Sequence, residues 1–404
     1  MDLLVKTLSI ARVRSINKFL KRGFIMKRLS VLLLLAMTGM FMLTACGKEK
    51  KKPEAPVATE ADNSSIVIGG DDTSSEAVES SEATVEEEVE EAPEGMYASE
   101  TTGEWIDISL KDQRPIAVMI DDEKKALPHY GVSDVDVLYE MVNSTQNEGV
   151  TRFMAIIKDW GKITQLGSIR STRPTNLQIF PEWNAVLCHD GGPFWNDNFY
   201  KNKFVERFSG TFSRVNNGKP REFTEYVCKG DLEKNFKNTG YSTTYNEYWE
   251  GTPHYQFASH TKDNDLSQYS SAVDCKKLVL PFHHNNPYME YDEAEGVYKY
   301  FQYGQKEVDA GNGNKQVAFK NVLLQNARLE QLDSHGYMMY YPTESGREGY
   351  YITDGKAIKV TWSKLSDITA TRYYDENGNE IKINVGKTYV GLISDKEWGN
   401  IEIN

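Results

Sequence analysis

The chain has 404 residues, with 46 Lys and Arg against 59 Asp and Glu, for a formal net charge of −13 at pH 7. That balance excludes a nucleic-acid binder, which needs a basic surface to displace counterions from phosphates. The charge is uneven: residues 1–45 hold 8 basic and 1 acidic residue, 46–104 hold 4 and 17, and 105–404 hold 34 and 41.

In chain order, the basic pair Lys27-Arg28 precedes an uncharged apolar run from Leu29 to Ala45. A basic start, an apolar middle and small residues at the end make a secretory signal. The run is slightly short for a membrane span, which needs roughly 17–25 residues. Leu43-Thr44-Ala45-Cys46 resembles the bacterial lipobox, in which the Cys is diacylated and becomes the first residue of the mature chain. Residues 1–45 are therefore expected to be a signal peptide, with Met26 an alternative true start. Cys46 is the expected lipidation site, placing the protein on the extracytoplasmic face of the cell membrane.

Residues 46–104 are expected to form a disordered acidic tether. Lys48, Lys50, Lys51 and Lys52 would sit among anionic headgroups, each adding on the order of 1 kcal/mol near such a surface. The following Ser, Ala, Thr, Pro and Glu, ending in the run from Glu86 to Glu91, cannot bury enough apolar surface to offset chain entropy.

The remaining residues predict an α+β protein: a layered mixed α/β domain over 105–269, then a β-rich domain over 270–404. Segments 115–121, 135–140, 153–157 and 185–188 read as buried strands. Pro174 suits the first turn of a short helix, and 193–204 reads as an aromatic-rich helix. Later segments at 297–303, 317–324, 337–341 and 357–362 are β-branched and aromatic, and Asp375-Glu-Asn-Gly378 is a hairpin turn. Cys188, Cys228 and Cys275 have neither zinc-like nor CxxC spacing. They read as small buried hydrophobes, with one disulfide an alternative outside the cytoplasm.

The chemistry-bearing candidates lie at predicted strand ends. Arg170-Ser171-Thr172-Arg173 follows one strand pattern, Arg152 opens another, Asp121 and Asp122 close the first, and His189 with Gly191 and Gly192 closes a fourth. Guanidinium forks beside hydroxyls suit an anion, and strand ends in open α/β sheets meet where ligands bind. Gly191-Gly192 permits close backbone approach, and His189 can donate a hydrogen bond or shuttle a proton. The opposing expectation is that Arg170 and Arg173 are spent on Asp121, Asp122 or Asp136 as ion pairs that lock strands together. The residues themselves commit to no metal and no cofactor.

Segments 114–121, 133–140, 149–153, 167–174, 185–192, 317–324 and 373–381 resemble the YerB-like lipoprotein family, a two-part domain of unknown function. Where the chain has Asp190, that family usually has a small residue. The resemblance implies a surface lipoprotein with a two-part ectodomain and brings no reaction with it. The order of elements is also similar to the LytR–CpsA–Psr phosphotransferases, although their Pro-Arg-Asp triplet is lacking and Arg152 stands elsewhere. That similarity implies Arg170 and Arg173 gripping a pyrophosphate, and Mg²⁺ held by Asp121 or Asp136. The expected partner is thus an anionic or pyrophosphate-containing envelope ligand, with the membrane engaged through the lipid.

Overall fold

The computed structural model describes residues 90–404. The expected signal peptide, Cys46 and most of the tether lie outside the described residues, but the end of the expected tether belongs to the folded body: residues 96–98 pair antiparallel with 105–107, and Ser99, Thr101 and Thr102 between them are buried. Eleven strands form the central sheet: β1 (Ile116–Asp121), β2 (Val137–Val142), β3 (Thr151–Ile157), β4 (Val186–His189), β5 (Arg207–Ser209), β6 (Val273–Asp274), β7 (Asn321–Ala327), β8 (Arg347–Thr353), β9 (Lys356–Ser363), β10 (Arg372–Tyr374) and β11 (Thr388–Ser394). Their order is β6-β9-β8-β7-β11-β2-β3-β1-β4-β5, with β10 also paired to β9. The sheet takes strands from both sides of residues 269 and 270. It is mixed: β11 runs parallel to β7 on one side and to β2 on the other, whereas β3 is antiparallel to β2 and β1.

The continuous apolar runs in β1 and β3 follow from burial on both faces. Successive side chains alternate between faces of a strand, so Ile116, Val118 and Ile120 enter one core while Ala117 and Met119 enter the other. The first core is completed by a second sheet, through Leu278, Met289, Tyr298 and Phe319. The opposite core is completed by Leu177, Ile179, Phe180 and Trp183 from helix α1 (Pro174–Ile179) and the 3-10 turn after it. No helix among the described residues is long and apolar enough to cross a membrane.

The fold is β-rich, with few helices. This corrects the expected layered mixed α/β arrangement of the N-terminal half. Among the described residues the α-helices are α1 and α2 (Asp231–Thr239), and the aromatic segment Phe194–Lys201 is a 3-10 helix. Asn196, Asp197 and Asn198 in its middle are weak helix formers whose side chains compete with the backbone for hydrogen bonds. The expected hairpin at residues 372–383 forms: Asp375 N donates to Asn379 O at 2.8 Å and Ile381 N to Tyr373 O at 2.9 Å, with Gly378 at φ 82. All three described cysteines are free, and Cys188 and Cys275 are buried.

Candidate functional site

Register gathers the candidates at one end of the sheet. Asp121 pairs with Arg152 across β1 and β3, and Arg152 pairs with Met141 across β3 and β2. β4 runs parallel to β1 and delivers His189 to the same end. The chain then returns: Arg170 N donates to Met119 O at 3.0 Å, Asp190 N to Arg170 O at 3.1 Å, and Thr172 N to Gly191 O at 3.2 Å. Residues 170–173 therefore lie against the loop holding Gly191 and Gly192. Arg173 precedes α1, where its backbone N–H donates to the Asn176 side chain at 2.9 Å.

The two guanidiniums singled out by sequence have different fates. Arg170 is neutralised: its Nε lies 2.7 Å from Asp121 Oδ2, NH1 lies 3.1 Å from Glu222 and NH2 3.9 Å from Glu123, with the group over the Phe223 ring at 5.3 Å. It acts as a strap between elements, which corrects the expectation that it faces a ligand. Arg173 has no carboxylate within ion-pair distance among the described residues, and neither does Arg152. NH1 of Arg173 donates to Thr172 O at 3.0 Å, and NH1 of Arg152 donates to Ser171 O at 3.0 Å. With its amide oxygen turned towards both groups, Asn143 accepts from Arg152 at 2.7 Å and from Arg173 at 3.3 Å. The cationic pair at this site is thus Arg152 with Arg173.

These side chains are nearly enclosed: Arg152 is 4% and Arg173 8% exposed. Burial, then the neighbouring Arg152 charge, pulls the Arg173 guanidinium down to about 9. Burial also lowers Arg152, although Asp121 counteracts it. Two buried like charges with no carboxylate in direct ion-pair contact are costly, and an anion bound to both would relieve that cost.

The roof comes from the C-terminal half. A hairpin over Leu329–Gln331 and Met338–Tyr340 sets the Tyr337 ring 4.8 Å from the Arg173 guanidinium. It is fastened to α1 through Tyr340 N and Thr175 Oγ1 at 2.8 Å, and to the 3-10 segment through Trp195 Nε1 and Asp333 Oδ2 at 2.9 Å. At its tip, Gly336 adopts φ +84 and a Cβ there would stand 2.1 Å from Thr145 Oγ1, so the close approach requires glycine.

The loop side is also tightly built. A Cβ on Gly192 would lie 2.3 Å from Asn196 Nδ2 and 3.2 Å from Thr172 O. His189 Nδ1 lies 2.8 Å from Gly191 O, so that nitrogen carries the proton and Nε2 holds a lone pair. Burial pushes this imidazole down to about 4, which keeps it neutral at pH 7. Ser171 is partly exposed and Thr172 is buried.

The carboxylates do not join this site. Asp121 is occupied by Arg170. Asp122 accepts from Thr151 Oγ1 at 2.7 Å and Asn285 Nδ2 at 2.9 Å, inside a buried network that also holds Glu140. Asp136 lies five residues before Met141, which is about 17 Å along the strand at roughly 3.3 Å per residue. There it accepts from Thr101 at 2.8 Å and Lys158 N at 2.7 Å, and burial raises it to about 6. Neither Asp121, spent on Arg170, nor Asp136, at the far end of β2, is therefore placed to hold Mg²⁺ beside Arg152 and Arg173. No group of three or more His, Cys, Asp or Glu that could hold a metal ion occurs among the described residues.

Sequence reasoning missed Asn143 and Tyr337. Asn143 directly follows the apolar run of β2, so a polar amide at a buried strand end was a usable signal. Tyr337 approaches Arg173 from more than a hundred and sixty residues away and leaves no local trace.

Two family models match the chain: the N-terminal domain of DUF3048, a protein of unknown function, over residues 101–242, and its C-terminal domain over 278–390. The chain is 23% identical over 306 residues to YerB of Bacillus subtilis (strain 168), which carries the name of a lipoprotein, covering 74% of this chain and 87% of that one. The crystal structure of the YerB protein from Bacillus subtilis is similar with a TM-score of 0.64 at 19% identity, covering 76% of this chain and 99% of that one. The structural likeness shows the fold alone.

Proposed function

Because this chain belongs to the YerB-like two-part DUF3048 family, we propose that it is a lipid-anchored protein of the extracytoplasmic membrane face whose body binds an anion through Arg152 and Arg173. The anchor is Cys46, and the acidic stretch between it and the folded body holds that body clear of the surface. Replacing Cys46 with Ser should shift the protein from the membrane fraction to the soluble fraction after cell lysis. Retention in the membrane would remove the lipid anchor from the reading.

One observation carries the binding assignment: two nearly buried guanidiniums share a neutral acceptor and, among the described residues, form no ion pair with a carboxylate. A protein that needed these charges only for stability would pair them, since an uncompensated buried charge costs several kcal/mol. Guanidinium forks match phosphate and carboxylate oxygens in pairs. Ser171, beside them and partly exposed, can add a hydroxyl donor.

The test is thermal unfolding with inorganic pyrophosphate. At a ligand concentration one hundred times Kd, stabilisation of about 2.7 kcal/mol is expected. Arg152→Gln and Arg173→Gln should each abolish it. Arg170→Gln should keep it, although without ligand it should lose about 2 kcal/mol because Asp121 is left unpaired in partly screened surroundings. Undiminished stabilisation of Arg173→Gln would sink the binding reading. The alternative of a LytR–CpsA–Psr-like metal-assisted phosphotransferase gains no support, because Asp121 is spent on Arg170 and Asp136 lies at the other end of the strand.

A further inference from the structure

The geometry points to a ligand with two parts, a phosphate monoester whose dianion sits on Arg152 and Arg173 while its apolar or aromatic body packs on Phe194 and Trp195. This rests on the anion-binding reading above and adds the class of molecule that carries the anion.

Phe194 is 65% exposed, unusual for so large an apolar side chain beside an otherwise sealed polar site. Its ring lies 4.5 Å from that of Trp195 with planes tilted by 32°, so together they present an aromatic step at the surface. The step is contiguous with the guanidiniums. Thr172 O accepts from Arg173 at 3.0 Å and from Asn196 Nδ2 at 3.3 Å, and Asn196 lies two residues beyond Phe194. Trp195 is bound to Asp333, and Tyr337 of the same hairpin covers Arg173. Tyr337 and the roof close one side of the cationic pair. On the other side Gly191 and Gly192 are exposed and Ser171 is partly so. An anion entering there brings whatever it is attached to beside the exposed Phe194 ring.

Charge and shape select the class. Two guanidiniums that make no ion pair among the described residues match the two negative charges of a monoester at neutral pH. An aromatic step then rewards an apolar substituent by area and by ring geometry. A polar substituent gains nothing from Phe194.

Isothermal titration calorimetry of the full chain with inorganic phosphate and with phenyl phosphate tests this, using the parent, Phe194→Ser and Arg173→Gln. The parent should bind phenyl phosphate about tenfold more tightly than inorganic phosphate. In Phe194→Ser the two affinities should come within twofold, with inorganic phosphate unchanged. Because the Phe194 side chain is largely outside the fold, that variant should melt at the parent temperature. Arg173→Gln should bind neither ligand. Equal affinities in the parent, or a preference that survives Phe194→Ser, overturn the two-part ligand and leave the anion site standing. Failure of the parent to bind either ligand overturns both.

Discussion

Replacing Lys364 with Met should lower folding stability by about 3–5 kcal/mol, the usual cost of leaving one member of a buried ion pair alone. Glu182 and Lys364 are at most 1% exposed, with Nζ 2.9 Å from Oε2. The same oxygen accepts from Thr371 N at 3.1 Å and Oγ1 at 2.8 Å, while Oε1 accepts from Tyr139 at 2.9 Å and lies 3.2 Å from His254 Nε2. Burial alone would raise the Glu182 carboxyl, yet Lys364 and then His254 hold it well below the usual carboxylate range. Its contribution is therefore present above about pH 4.5, the ordinary glutamate value, and is lost as pH falls. Urea unfolding at pH 7 measures the effect, and adding Glu182→Gln to Lys364→Met should recover most of it. A loss below about 1 kcal/mol in the single variant would mean that the cluster relaxes or hydrates.

The second large effect is alkaline. His129 is fully buried, with Nδ1 2.9 Å from Glu307 and Nε2 2.7 Å from the Asp121 carbonyl. Burial alone would lower its pKa, but the Glu307 carboxylate outweighs that and carries it up to about 9 from 6.5. A raised folded value means stability is fully present below pH 6.5 and drains away as pH climbs through 9. The loss should reach about 3 kcal/mol. Asp122, raised by burial and then by Glu140, has the same sign but starts from the ordinary aspartate range. Urea midpoints at pH 6.5, 8 and 9.5 should fall steadily in the parent and more shallowly in His129→Gln. Parallel slopes would exclude His129 as the source.

Much of the local structure was legible because it depends on neighbours in sequence. The apolar runs of β1 and β3, Pro174 at the head of α1 and the turn at residues 375–379 all formed as their residue types require. The convergence of Arg152, Arg173 and His189 was also legible, since each stands at the edge of an apolar run. Pairing was not. Whether Arg170 meets a ligand or an acid depends on Glu222, fifty-two residues later, and no periodicity encodes that. Asp136 was misplaced for a similar reason: it opens β2 whereas Asp121 closes β1, and these strands run the same way. The Asp122–Asn285–Glu140 network joins residues more than a hundred positions apart, so only folding brings it into view.

Strand β11 has a consequence for biogenesis. Its residues 388–394 lie between β2 and β7, parallel to both, and among the described residues no other strand joins those two parts of the sheet. The central sheet cannot close until residues 388–394 are available, so synthesis from the N-terminus keeps its two parts unlatched until that strand emerges.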